Sequence, residues 1–212
     1  MELYFSPLAC SMASRIAVYE AKAESEIAFR QVDIRTKQVV ADGSDYLEIN
    51  PAGQVPALRI SEGQILTENA AILPFLADSF LETHETQSAI PDRSRYELAR
   101  WLGFIGAELH KQVFTPLLSP FAGDGSREFA RGSAPPRLAL LDDHLSRHEY
   151  LLDRFGVADA YLITVLNWAS FVQLDLANYS AITKYAARLA ERPSVSRAIC
   201  EEAALFQAAS SS

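Results

Sequence analysis

Residues 50–69 read Asn50-Pro51-Ala52-Gly53-Gln54-Val55-Pro56-Ala57-Leu58-Arg59-Ile60-Ser61-Glu62-Gly63-Gln64-Ile65-Leu66-Thr67-Glu68-Asn69. The first seven residues are dense in turn formers and close on Val55-Pro56. Ala57–Ile60 and Ile65–Thr67 are short apolar runs on either side of Ser61-Glu62-Gly63-Gln64, the pattern of a β-hairpin. Asn69 is a residue type that caps helices, and the apolar residues beyond it carry a helix to about Phe80. The stretch therefore predicts strand, strand, helix, entered through an X-Pro bond. Only about one such bond in twenty is cis. Taken alone, Val55-Pro56 has two readings. It is a plain strand start, or it is a cis bond that turns the Val55 N–H and C=O outward to pair with an extended, peptide-like ligand.

Upstream, Glu2–Ser6 reads as a short strand ended by Pro7. Ser11–Ala21 fits an amphipathic helix with Met12, Ile16 and Tyr19 on one face, and Ile27–Ile34 reads as a second strand. These form a β-α-β unit with parallel strands. The polar stretch Arg35–Asp45 separates it from the β-β-α half. Downstream of Pro91 the strand signals stop. Ser94–Phe114 repeats Leu98, Trp101, Leu102, Ile105 and Leu109 at helical spacing, and Pro116 and Pro120 are expected to end it. Gly132-Ser133-Ala134-Pro135-Pro136 is expected to break any helix there. Leu138–Leu145 and Val157–Leu174 resume the period, and Arg188–Ala204 is helical with an interruption at Pro193. The chain thus divides into an α/β half over 1–80, a linker over 81–91 and an all-helical half over 92–212. Pro74, inside the helix that begins at Asn69, is expected to kink it at up to about 3 kcal/mol.

The 212 residues suffice for one large domain or two small ones that share a core. Hydrophobic residues at 49% and charged residues at 22% are the proportions of a folded globular chain. The net charge of -8 opposes a phosphate backbone, so nucleic acid is excluded as a partner, with room left for a small cationic pocket. Two widely spaced cysteines, Cys10 and Cys200, form no disulfide framework and point to a reducing, cytoplasmic compartment. The opening Met1-Glu2-Leu3-Tyr4-Phe5-Ser6-Pro7 lacks the features of a secretory signal, and no run approaches the roughly 20 apolar residues of a membrane span.

Four places carry chemistry. Cys10 lies in a strand-to-helix turn, where the helix dipole favours a thiolate. Ser11 beside it could donate to a sulfur anion. The alternative is an inert cysteine that packs the turn. Val55-Pro56 is the second place. At the third, Glu68-Asn69, exposed helix N–H groups next to a carboxylate suit a zwitterionic amino-acid head, and plain capping is the alternative. In the fourth, Glu108-Leu109-His110-Lys111, His110 sits at the edge of an apolar stripe, either as a donor to a ligand or as a structural group. His144 and His148 lie four apart, a metal pair only if their face is not simply solvated; no metal is expected. Cys200, near Ile199 and Leu205, reads as packing.

The order and spacing of these signals resemble the glutathione transferase family over nearly the whole chain. Leu3-Tyr4-Phe5-Ser6-Pro7-Leu8-Ala9-Cys10-Ser11 is similar to the bacterial beta class in particular. So are Asn50–Leu58 and Leu66-Thr67-Glu68-Asn69-Ala70-Ala71-Ile72. In the helical half the resemblance rests on Trp101–Ile105, Glu108–Lys111, Val157-Ala158-Asp159-Ala160-Tyr161 and Asn167-Trp168. It implies a thioredoxin-like N-terminal domain (βαβ-ββα) that binds glutathione, and an all-α domain that lines a hydrophobic co-substrate site. It implies Cys10, Ser11 and His110 as the catalytic groups, with Cys10 able to form a mixed disulfide. Lys37, Gln54, Val55, Pro56, Glu68, Asn69 and Glu108 would bind glutathione: Lys37 near the glycyl end, Val55 through its backbone, Glu68 and Asn69 at the γ-glutamyl head, and Glu108 toward a partner subunit. Phe104, Phe114 and Trp168 would face the co-substrate. The expected function is glutathione transfer to hydrophobic electrophiles, or disulfide exchange through Cys10, in a cytoplasmic homodimer with no metal. A glutathione-dependent dehalogenase or isomerase of the same fold is the alternative, as is a non-catalytic ligand-binding or regulatory member. Three positions depart from the pattern. Gly156 stands where a capping Ser or Thr precedes Asp159, Gly103 replaces an asparagine, and Asn69 replaces a serine. The loop over 151–154 is one residue short.

Overall fold

The computed structural model describes residues 1–81 and 92–210. They group into two compact units, one of residues up to 87 and from 193, the other of 88–192. Beyond Leu81 the linker expected over 81–91 lies outside the described residues.

In the first unit the strands are β1 (Glu2–Phe5), β2 (Ala28–Asp33), β3 (Gln38–Val39), β4 (Ala57–Ser61) and β5 (Gln64–Thr67). The sheet order is β3-β2-β1-β4-β5. β1 and β2 are parallel, with Leu3 opposite Phe29, and the β1–β4 and β4–β5 pairs are antiparallel. The expected β-α-β then β-β-α order is present. The polar stretch 35–45 differs from its reading: it holds β3, which pairs antiparallel with β2 through Val32 and Val39. Two residues are too few to leave an alternating pattern in the sequence.

Along β1, Leu3 and Phe5 alternate with Tyr4, so the strand buries both faces. Tyr4 joins Val32, Val39, Tyr46, Val55 and Ala57 in one cluster. Helices α1 (Met12–Glu20) and α2 (Asn69–Phe80) pack together, and the final helix, α8 (Pro193–Ser210), packs on α1. The sequence assigned α8 to the helical half; its contacts are with the first unit. The α2 helix runs through Pro74.

The second unit holds α3 (Asp92–Gly103), a π-helical stretch (Phe104–Phe114), α4 (Thr115–Leu118), α5 (Asp124–Arg147), α6 (Val157–Leu166) and α7 (Ser180–Ala190). Every residue of α6 is buried, the mark of a central helix. Three expectations fail here. Pro116 does not end the helix, which continues from the π-helical stretch through α4 to Leu118. Nor does Gly132–Pro136 break α5, which passes through Pro135 and Pro136. Ala130, Ala134, Leu138, Leu141 and Leu145 form one buried stripe across the prolines, so burial outweighs the local penalty. The 157–174 period also stops early, at a 3-10 turn over Asn167–Ala169. No helix among the described residues is long and apolar enough to cross a membrane.

Candidate functional site

The turn between β1 and α1 is built around a hydroxyl. Ser11 Oγ accepts from the Ser6 N–H (3.1 Å) and donates to the Ser6 carbonyl (3.2 Å), and Ser11 is fully buried. Its one proton is therefore committed to the turn rather than offered to a sulfur. The turn carries Leu8 at a φ of 58°, a left-handed position rarely taken by a leucine. The Leu8 N–H donates to Glu202 Oε2 on α8 at 2.7 Å. Cys10 follows, half-buried, with its thiol donating to the Val55 carbonyl at 3.0 Å. A thiol that donates is protonated, so in this state the sulfur is parked on backbone.

The Val55–Pro56 peptide is cis. The turn before it is tied down at several points. Tyr46 Oη and Asn50 Nδ2 both donate to the Gln54 carbonyl, at 2.7 and 2.8 Å, and the Gln54 side chain is exposed. Lys37, itself at a φ of 59°, donates from Nζ to the Gly53 carbonyl at 2.8 Å. A Cβ at Gly53 would meet the Lys37 side chain at 3.1 Å, and the residue has a φ of 62°, so only glycine fits there without strain.

At the start of α2 the cap shifts by one residue from the sequence reading. Glu68 is the N-cap, at a φ of 70° and without a side-chain cap bond, and Asn69 is the first helical residue. Asn69 is buried and turned away from its own helix. Its Nδ2 donates to the Cys10 carbonyl at 2.9 Å, and its Oδ1 accepts from Ser14 Oγ at 3.2 Å. Glu68 is exposed and holds a backbone conformation that costs a non-glycine residue roughly 1–3 kcal/mol. Within one unit, hydrogen bonds thus tie Cys10 to Val55, Lys37 to Gly53 in the turn that precedes Gln54-Val55-Pro56, and Asn69, next to Glu68, to Cys10.

His110 lies in the π-helical stretch of the other unit. Its Nδ1 is 2.8 Å from Tyr161 Oη, and its ring meets Trp168 edge-on at 4.9 Å between centroids. Burial, with the Lys111 charge adding, pushes its pKa down to about 4, so the imidazole is neutral at physiological pH. Phe114 and Trp168 contact each other edge-on at 5.9 Å and are buried. In this state both side chains are packed in the core. Phe104 is half-buried against Trp101. Glu108 is paired with Arg137 by two bonds, at 2.8 and 2.5 Å, within its own unit.

Among the described residues no group of three or more His, Cys, Asp or Glu is placed to hold a metal. His144 and His148 stack at 4.4 Å, and burial, then the His148 charge, lowers the His144 pKa. Cys200 is exposed rather than packed, a correction to its reading, because α8 turns that position outward.

Some residues escaped the sequence reading. Arg15 is buried on the same α1 face as Met12 and Tyr19, under Phe5 and Phe29, and its guanidinium meets Glu201 and Glu202. A charge on an apolar stripe was the available signal. Tyr161, beside His110, stood only as the last residue of the family-like run from Val157, with no role assigned, since a tyrosine in an apolar helix reads as core. Asp142 on α5 caps α7 by accepting from the N–H groups of Ala181 and Ile182, at 2.8 and 3.0 Å.

Two family models match this chain: "Glutathione S-transferase, N-terminal domain" over residues 9–79, and "Glutathione S-transferase, C-terminal domain" over 107–193. The chain is 37% identical over 203 residues to glutathione S-transferase GstA of Escherichia coli O157:H7, with 95% of this chain and 98% of that one covered. Among solved structures it is similar to a sphingomonad glutathione S-transferase complexed with glutathione (TM-score 0.87, 39% identity, 96% and 99% covered). It is also similar to the bacterial beta class enzyme of Sphingomonas chungbukensis (TM-score 0.84, 37% identity, 95% and 98% covered).

Proposed function

This chain belongs to the glutathione S-transferase family, and from that premise we propose that it activates the glutathione thiol for transfer to hydrophobic electrophiles and for disulfide exchange through Cys10. The observation that carries the proposal is the linkage of three elements at Cys10, through the carbonyls of Val55 and of Cys10 itself. The Cys10 thiol reaches Val55 O beside a cis Val55–Pro56 bond, and Asn69 holds the Cys10 carbonyl from the start of α2. An extended tripeptide that pairs with the Val55 backbone would bring its own sulfur next to Cys10.

In this reading Glu68 and the N–H groups at the start of α2 take the γ-glutamyl head, with Asn69 holding the Cys10 loop against them. Lys37 and Gln54 take the glycyl end. His110 supplies a neutral N–H donor, and Phe104, Phe114 and Trp168 form the apolar wall after repacking. Ser11 acts through the turn it ties. Glu108 keeps a half-exposed carboxylate for a partner subunit. In disulfide exchange the Cys10 thiol loses its proton to water, and its sulfur attacks a disulfide sulfur. The other sulfur leaves as a thiolate, and a glutathione thiolate then attacks the mixed disulfide to restore Cys10. We also propose a homodimer, consistent with Tyr96, Phe129 and Leu140 exposed on α3 and α5, and a cytoplasmic location, consistent with two free cysteines.

The test uses the Cys200→Ser background, because Cys200 is exposed and would also react. Calorimetry should show glutathione binding at millimolar concentration or tighter, and Cys10→Ala should keep binding while losing the glutathionylated intermediate by mass spectrometry. Absence of binding removes the function; full disulfide exchange in Cys10→Ala removes the role of Cys10 alone.

A further inference from the structure

His110 is held at three points. Its carbonyl accepts from both the N–H and the hydroxyl of Thr115, the latter at 2.9 Å. Its ring stands edge-on to Tyr161 and Trp168, with centroids 6.1 and 4.9 Å away. Its Nδ1 lies 2.8 Å from Tyr161 Oη. Among the described residues Nε2 has no hydrogen-bond partner. Tyr161 is itself fixed, buried on a helix whose ten residues are all buried.

A neutral imidazole has one N–H and one bare nitrogen, and the partner at one nitrogen decides the other. A phenol is the better donor of the pair, since its lone pairs are drawn into the ring, whereas a bare imidazole nitrogen is a strong acceptor. The Tyr161 hydroxyl therefore donates to Nδ1, and the ring proton sits on Nε2. We propose that Tyr161 is a positioning residue that fixes His110 as the Nε2–H tautomer, making it a neutral hydrogen-bond donor toward an electron-rich atom of the bound substrate. This rests on the glutathione-transferase reading above. No proton is transferred in the role: the N–H is donated, not released. With its pKa near 4, the ring could not serve as an imidazolium acid at neutral pH in any case.

The test is nitrogen-15 NMR of the full chain with labelled histidine, the His110 signals assigned by their loss in His110→Gln. Wild type should show a bare Nδ1 and a protonated Nε2. Tyr161→Phe, close in shape and so able to stay folded, should add the Nδ1–H form and lower kcat about tenfold with the KM for glutathione unchanged. In a His110→Gln background the same substitution should cost no further activity. A proton on Nδ1 in wild type overturns the proposal without any variant. So does a tenfold loss that persists when His110 is already absent. A wild-type protein with no glutathione turnover would instead sink the functional reading, and the NMR result is separate from it.

Discussion

Asp159 carries a heavy share of the second unit's polar bonding. One of its oxygens takes the Leu151 N–H (3.0 Å) and the Tyr185 hydroxyl (2.8 Å), and the other takes the Gly156 N–H (3.0 Å), all with the residue buried. Gly156 has no side chain to return the cap, so only the aspartate half of the capping box exists. Burial raises the Asp159 pKa in spite of these donors. Asp159→Ala would strand three buried donors and should lower stability by about 3 kcal/mol, measured by urea unfolding. Asp159→Asn keeps the doubly accepting oxygen and should lose roughly half as much. At this scale the sequence was legible where the chemistry is local. Cys10, Val55-Pro56 and Glu68-Asn69 stood out because turn and cap residues act on near neighbours. Arg15 and Glu202 did not, because their meeting joins residues 187 apart, and no short-range pattern encodes it. Ser11 was named for its hydroxyl, but the partner that occupies it, Ser6, became visible only in three dimensions.

Elements were legible where periodicity was strong and illegible where burial overrode a local rule. The α5 helix is the clear case. Pro135 and Pro136 each remove an N–H from its interior, yet the helix persists because its stripe from Ala130 to Leu145 is buried. That leaves a reserve of stability. Pro136→Ala, made in the exposed part of the helix, should raise the thermal midpoint and add about 1–3 kcal/mol. A thermal scan with the midpoint unchanged or lowered would contradict this account. The π-helical stretch was read as ordinary helix, since its buried Ile105, Leu109 and Val113 recur every four residues. Four-residue spacing satisfies both windings, so only the hydrogen bonds distinguish them, as in the Thr115 N–H bond to the His110 carbonyl.

For the molecule as a whole, the order of the first unit was readable up to α2, and the place of α8 was not. Its stripe of Val195, Ala198 and Glu202 says only that one face is buried, not against what. Two predictions belong here. A chain stopped after Arg192 would expose the α1 face that α8 covers and leave Arg15 without its carboxylates. It should fail to give a cooperative unfolding transition. The second concerns pH. Burial raises the Glu202 pKa to about 7 from an ordinary 4.5, against the pull of Arg15 and the Leu8 N–H. The folded state thus holds this proton more tightly than the unfolded chain. Its contribution to stability is complete below about pH 4.5 and is lost as pH rises through about 7. Unfolding free energies of wild type and Glu202→Gln, compared between pH 5 and 8, should diverge by up to about 3 kcal/mol, with the wild type losing ground at the alkaline end. The same Glu202 bond also orders events during synthesis. The backbone that shapes the thiol turn waits for a carboxylate made 194 residues later. A ribosome must first release α8 before that turn can be closed, so the nascent protein carries an unfinished nucleophile until that helix has emerged.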